Sequence, residues 1–113
     1  LENINIFFNE YKLGRIIDNN LVNAIKYTYS NEIIHISILQ TNNSCTISFS
    51  GHSPHIEDTK KIFTEYYREV EFSQGFGLGL SLVKGICDEE NIIMYVQSDV
   101  DETSFTYKFD CLI

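Results

Sequence analysis

The chain is short of basic residues, has no paired cysteines and has no long apolar run, and each shortage removes a class of function. Eight Lys and Arg stand against sixteen Asp and Glu in 113 residues, for a net charge of −8. Nucleic acids and anionic membranes are bound through basic patches, so neither is expected as a partner, and no direct membrane contact is expected of this segment. No apolar stretch approaches the ~20 residues that span a bilayer, and the first residues lack the charged start and apolar core of a secretory leader. Cys45, Cys87 and Cys111 are odd in number and widely spaced, without a CxxC pair. A reduced, cytoplasmic setting is the simple expectation. Cys45 and Cys111 fall in alternating patterns and Cys87 in a helical one, so all three read as small core hydrophobes. His35, His52 and His55 have no Cys or carboxylate at the separations of a tetrahedral metal site. Ser53 and Ser81 have no candidate base, which leaves a serine nucleophile without support. Repeats, low-complexity tracts and internal linkers are also absent. What remains is one domain over residues 1–113, enough for a single two-layer core. Because it opens with Leu1, it is expected to be a segment of a longer protein.

What the chain does have is a glycine run, Gly75-Phe76-Gly77-Leu78-Gly79-Leu80-Ser81-Leu82, with glycines at alternate positions where an apolar helical pattern begins. Glycine bends the backbone tightly and bares its N–H groups to an anion, and the positive end of the following helix adds to the attraction. The same pattern also serves as a plain helix cap or a close-packing site.

About fifty residues earlier, Arg15 to Tyr27 reads as an amphipathic helix. Leu13, Ile17, Leu21, Ala24 and Thr28 recur at three- and four-residue spacing and form an expected core stripe, while Asn19, Asn23, Lys26 and Tyr27 gather on another face. That polar face offers an uncharged oxygen for a hard cation, a point charge for a phosphate and a flat ring for a base. A solvated helix face has the same composition.

The expected element order is a short strand through Ile4, Ile6 and Phe8, then a helix from about Lys12 to Tyr29. A hairpin follows, with Ile34, Ile36 and Ile38 on one strand, a turn over Thr41 to Ser44, and Cys45, Ile47 and Phe49 on the other. Glu57–Tyr67 reads as a helix after the only proline, Leu78–Glu90 as a third helix, and Ile92–Gln97 and Ser104–Phe109 as a final pair of strands. The expected fold is a two-layer α/β sandwich, a mixed sheet of about five strands with three helices on one face.

Taken together, the two segments resemble the ATP-binding domain shared by sensor histidine kinases, gyrase, Hsp90 and MutL, and most of all the histidine kinase catalytic domain. Asn19–Tyr27 looks like its Asn box, Ile62-Phe63-Thr64-Glu65-Tyr66-Tyr67-Arg68 like its phenylalanine box, and Gly75–Leu80 like its second glycine box, in the family's order. The likeness runs from about Phe8 to about Phe109. It implies a Bergerat-type ATP-binding fold, with ATP and Mg²⁺ as cofactors. The reaction implied is transfer of the γ-phosphoryl group to a histidine on a dimerisation helix. None of His35, His52 and His55 lies in a helical setting with an acidic residue after it, so the acceptor would lie outside this chain. The phosphoacceptor and dimerisation domain of the same protein, and a response regulator, are the implied partners. The parent protein is left free to carry a membrane anchor.

Residue by residue, the resemblance makes Asn23 the Mg²⁺ ligand and Lys26 a phosphate contact. Tyr27 would pack on the nucleotide, and Arg68 would lie near the γ-phosphate. Gly51, Gly75, Gly77, Leu78, Gly79 and Leu80 would line the nucleotide site. Asn19 stands where hydrolysing relatives carry an acid, and an amide there could orient water or a phosphate but not accept a proton. Glu69–Gln74 matches the lid, shortened.

The chain departs from the pattern at the first glycine box, where the family carries an Asp that accepts from the adenine amino group. Counting back from Phe63 puts Phe49 at that position, keeps the first glycine as Gly51 and puts Ser53 at the second. Glycines after the third helix are missing from Glu89-Glu90-Asn91-Ile92, and the last motif reads Asp101-Glu102-Thr103-Ser104-Phe105. Two alternatives stay open: a non-catalytic domain of the same fold that docks a partner or relays a conformational change, and a serine kinase of the same superfamily.

Overall fold

The computed structural model describes residues 6, 8–41, 43–53 and 79–110. Asn9 opens the first helix, α1 (Glu10–Tyr27), because its side-chain oxygen accepts from the Lys12 backbone N–H at 3.0 Å. The helix thus begins two residues before the Lys12 that periodicity marks. It ends at Tyr27 instead of Tyr29, where Thr28 turns to extended backbone (φ −72, ψ 135).

The expected hairpin follows as β1 (Ile34–Gln40) and β2 (Ser44–Gly51). Its turn is closed by the Thr41 N–H donating to the Ser44 carbonyl at 2.9 Å, with the two hydroxyls 2.8 Å apart. Then come α2 (Gly79–Glu90), β3 (Ile93–Ser98) and β4 (Thr103–Asp110). The sheet order is β1-β2-β4-β3, with α1 packed on β2 and on α2.

The two-layer α/β sandwich is the architecture found, but the details differ. Among the described residues every strand pairing is antiparallel, where a mixed sheet was expected, and there are four strands and two helices. Both outer pairs, β1–β2 and β3–β4, are hairpins, which run antiparallel by construction. The helix expected over Glu57–Tyr67, with Phe63 and Tyr66, lies outside the described residues. Of the first expected strand, the described Ile6 and Phe8 are not in regular structure; they pack on the core, Phe8 edge-on to Phe109 at 5.2 Å between ring centroids.

The alternation in β2 works as the sequence implies. Cys45, Ile47, Phe49 and Gly51 face the helices and are buried, while Ser44, Thr46, Ser48 and Ser50 face outward. On the outer face, Ser48 and Thr106 stand opposite each other with their hydroxyls 3.2 Å apart. Tyr107 and Phe109 of β4, Val83, Ile86 and Cys87 of α2, Ile92 and Ile16 of α1 complete the core. The buried line of α1 is centred on Ile16 and Asn20, with Leu13, Ile17 and Leu21 only partly buried beside it. The expected stripe is therefore rolled by about one residue, because α1 sits in the corner between the sheet and α2 and not flat on the sheet.

Turns that lack glycine are closed by other means. Asn91 takes the left-handed conformation (φ 57) after α2, and the Ile92 N–H reaches back to the Cys87 carbonyl at 2.9 Å, an ending that Asn tolerates better than most residues. Between β3 and β4, the Asp99 carboxylate accepts from the backbone N–H groups of Asp101 (2.8 Å) and Glu102 (2.9 Å). Lys12 pairs with both Glu89 and Glu90, tying the start of α1 to the end of α2. Its ammonium is held above the ordinary lysine range by the hydrogen bond to Glu89 first and then by that to Glu90.

Gly51 shows how closely β2 approaches the end of α1. A Cβ there would lie 2.5 Å from Thr28 Oγ1 and 3.2 Å from Thr28 Cγ2, so turning the threonine replaces one clash with another. Gly51→Ala is expected to lose about 1–3 kcal/mol of stability by overpacking. Urea unfolding checks this, and Thr28→Ala in the same chain should recover most of the loss.

Candidate functional site

The polar face of α1 and the first turn of α2 meet at one contact. Asn19 Oδ1 lies 2.7 Å from where a Cβ on Gly79 would be, so the absence of a side chain at Gly79 is what lets α2 begin against the asparagine. The other end of that amide is held, its Nδ2 donating to the Arg15 carbonyl at 2.7 Å. Gly79 and Leu80, the first two residues of α2, are both half-buried.

One turn further along α1, Asn23 has a different environment. Its Nδ2 is buried and has no hydrogen-bond partner among the described residues. Buried polar atoms nearly always find partners, and leaving one unpaired costs about 1–3 kcal/mol. An unpaired buried side-chain nitrogen on the same helix face as Asn19 makes Asn23 a candidate ligand-binding position. Rotation of the amide exchanges its nitrogen and oxygen, so the same side chain can donate to an anion or present Oδ1 to a cation.

The remaining expected residues divide between those placed near this face and those outside the described residues. Lys26 lies exposed in the last turn of α1, and Tyr27, half-buried, is its last residue. Gly51 ends β2, buried against Thr28. Arg68, Gly75, Gly77, Leu78 and the segment Glu69–Gln74 lie outside the described residues, as does His55. His35 is on the exposed edge strand β1. His52 follows β2, its ring edge-on to Tyr29 at 5.1 Å and its Nδ1 3.6 Å from a Glu32 carboxylate oxygen. No cluster of three or more metal-ligating His, Cys, Asp or Glu occurs among the described residues. Nor is any described helix long and apolar enough to cross a membrane.

Phe49 is a core residue. It is 2% exposed on the inner face of β2, paired across the sheet with Ile36 and Phe105, and its ring stands 6.3 Å from that of Tyr107 in an edge arrangement. A buried aromatic ring therefore stands where the resemblance places a carboxylate. Ser53, at the second-glycine position, is buried as well.

Sequence reasoning missed Asn20 and Tyr107. The Tyr107 hydroxyl donates to Asn20 Oδ1 at 2.9 Å, and Asn20 Nδ2 donates to the Ile16 carbonyl at 2.8 Å, both residues fully inside. Leu13, Ile16, Asn20 and Ala24 also recur at helical spacing, which was the available signal. Burial raises the Tyr107 hydroxyl far above its ordinary range, so it stays a donor at any physiological pH. Cys45 and Cys87 are buried thiols of the core, as expected, and Cys111 lies outside the described residues. The Cys87 thiol is pushed up to about 11, by burial first and by Asp88 second, so it is not a nucleophile at neutral pH.

Residues 8–112 match the family model described as histidine kinase-, DNA gyrase B-, and HSP90-like ATPase. Sensor histidine kinase HprS of Escherichia coli (strain K12) is 38% identical over 89 residues, covering 76% of this chain and 20% of the relative. Heme sensor protein HssS of Staphylococcus aureus (strain JH9) is 32% identical over 109 residues, covering 94% of this chain and 24% of the relative. The chain thus spans about a quarter or less of the length of these curated relatives. Among solved structures, the mycobacterial sensor histidine kinase MprB superposes with a TM-score of 0.80 at 19% identity, covering 94% of this chain and 74% of that one. The catalytic domain of histidine kinase ThkA superposes with a TM-score of 0.81 at 22% identity, covering 94% and 71%. At those identities the superpositions speak for the fold.

Proposed function

Since this chain belongs to the histidine kinase-, DNA gyrase B- and HSP90-like ATPase family, we propose that it is the ATP-binding catalytic domain of a two-component sensor histidine kinase. It binds Mg·ATP on the Asn19–Tyr27 face of α1 and presents the γ-phosphoryl group to a histidine on a dimerisation helix outside residues 1–113. The observation that carries the reading is the buried, unpartnered side-chain nitrogen of Asn23, one turn along α1 from the Asn19–Gly79 contact.

In this reading Asn23 would hold Mg²⁺ through its side-chain oxygen, a neutral ligand that this oxygen-seeking cation tolerates. When bound, Mg²⁺ neutralises charge on the phosphates during transfer. Asn19, fixed by Arg15 and Gly79, orients a phosphate or water and takes no proton. Lys26 supplies positive charge to the phosphates, Tyr27 a face for the base, and Arg68 a guanidinium fork for the γ-phosphate. The backbone N–H groups at Gly75, Gly77, Leu78, Gly79 and Leu80 would receive the phosphate oxygens, and Gly51 would line the nucleotide site as the resemblance implies. The domain supplies positioning and charge, and no covalent nucleophile. The phosphoacceptor domain of the same protein and a response regulator are the proposed partners, in a cytoplasmic setting.

A second reading, a non-catalytic domain that docks a partner, is favoured by one observation, the burial of Phe49 in place of an adenine acceptor. Calorimetric titration of the 113-residue chain with ADP and a non-hydrolysable ATP analogue separates the two. The kinase reading expects micromolar to submillimolar binding that tightens with Mg²⁺ for the triphosphate. Absence of heat up to millimolar nucleotide, in protein shown to be folded, leaves the docking domain.

A further inference from the structure

The buried Asn20–Tyr107 pair spans the two layers, joining α1 to β4 through 87 positions of sequence. Its geometry admits one arrangement. Asn20 Nδ2 donates to the Ile16 carbonyl, so Oδ1 is the atom left for the Tyr107 hydroxyl, and the hydroxyl is the donor. Around it, Ile16, Leu13, Ile17, Phe49 and Phe109 make apolar contacts that have no preferred direction. A helix held only by such contacts can roll, whereas a hydrogen bond across the layers resists it.

Roll of α1 matters because Asn20 lies between Asn19 and Asn23 in the chain. Side-chain tips sit about 5–6 Å from a helix axis, so a roll of about 10° carries them about 1 Å. A displacement of that size at a positioned group costs on the order of 100-fold in a reaction that depends on alignment. We infer that Tyr107, acting through Asn20, is a positioning residue for the nucleotide site: it sets the roll of α1, which aims Asn19 at Gly79 and Asn23 at its buried, unpartnered place. The inference rests on the reading of Asn23 as the ligand of the Mg·nucleotide.

The test uses the full 113-residue chain as wild type, Tyr107→Phe, and the double variant Tyr107→Phe with Asn20→Leu. Each is measured for urea stability, for affinity toward a non-hydrolysable ATP analogue with and without Mg²⁺, and, without nucleotide, for the NMR positions of the Asn23 side-chain amide and the Gly79 backbone amide. Tyr107→Phe leaves the Asn20 oxygen buried and unpaired, and its folding equilibrium constant is expected to fall roughly 10- to 100-fold. The double variant removes both polar partners and is expected to recover most of that stability, since an apolar pair of similar shape is close to neutral. A merely structural pair would recover its function together with its stability. A positioning pair keeps a Mg²⁺-dependent gain in affinity about tenfold or more below wild type, with both amide signals displaced. A double variant with the full Mg²⁺-dependent gain and unmoved signals overturns the inference and leaves the reading of the site intact. Wild-type protein that binds no nucleotide overturns both, and is seen before any variant is made. If the double variant does not fold, Tyr107→Phe decides the matter below its unfolding midpoint by the same two readouts.

Discussion

Asn23→Ala is expected to leave the protein as stable as wild type or more so, while the affinity for Mg·ATP falls about 10- to 100-fold, the value of a hydrogen bond or ligand contact to a charged group. The two halves of this prediction have one cause. The Asn23 Nδ2 is buried without a partner among the described residues, so the folded protein without nucleotide carries its desolvation cost. Alanine removes that cost and is the better helix former by roughly half a kcal/mol. Asn20, three residues earlier on the same helix, should behave in the opposite way. Its amide is satisfied at both ends, and Asn20→Ala strands the Tyr107 hydroxyl in the core, a loss of about 1–3 kcal/mol. Urea midpoints of the two alanine variants, read beside titrations with a non-hydrolysable ATP analogue and Mg²⁺, check both directions. A destabilised Asn23→Ala that binds nucleotide like wild type would make Asn23 an ordinary packing residue and remove the main support for the site.

The contrast between these two asparagines also marks where the sequence could be read and where it could not. Alternation along β2 and the Thr41–Ser44 turn were legible because a two-residue period and turn chemistry are local properties. The likeness of the Asn box and glycine run was legible because three motifs in order are specific. The roll of α1 was not. Leu13, Ile17, Leu21 and Leu13, Ile16, Asn20 are both valid helical lines, and the choice between them is made by a corner between α2 and the sheet that no window of α1 contains. Asn20 was passed over for the same reason: an Asn on a helix is ordinarily solvated, and its partner Tyr107 is 87 residues away. The helix start moved to Glu10 through a single cap, Asn9, which has the right chemistry for one but lies before the apolar pattern begins.

The position of Phe49 gives the second large effect. By resemblance, Phe49→Asp restores the adenine acceptor, and from sequence alone it would be expected to strengthen ATP binding. In the fold it is expected to cost more stability than any other substitution considered. Phe49 is almost wholly buried among Ile36, Phe105 and Tyr107, and removing a buried Phe side chain costs about 3–5 kcal/mol before any charge is introduced. The carboxylate would then lie in the core near Tyr107, whose hydroxyl is already committed to Asn20. A domain of this size has about 5–15 kcal/mol in total, so the variant should be largely unfolded at pH 8.

Its pH dependence should be distinctive. Burial raises the folded-state value of the new carboxyl above the ~3.9 it has when unfolded, so the folded form keeps its proton to higher pH than the unfolded one. The variant is therefore least destabilised, relative to wild type, below the ordinary carboxyl range, and loses ground as pH rises through the folded-state value. The folded fraction of both proteins at pH 4.5 and pH 8, read by circular dichroism, checks this, the gap being wider at pH 8. A variant as stable as wild type at pH 8 and tighter toward ATP would mean that this end of the sheet is open to solvent and nucleotide. The expected result means instead that the missing acceptor cannot be restored by one substitution. The side chain at 49 is held by Tyr107, Tyr107 by Asn20, and Asn20 lies on the helix that carries Asn19 and Asn23, so the proposed base end of the site and its proposed phosphate end are built on the same packed core.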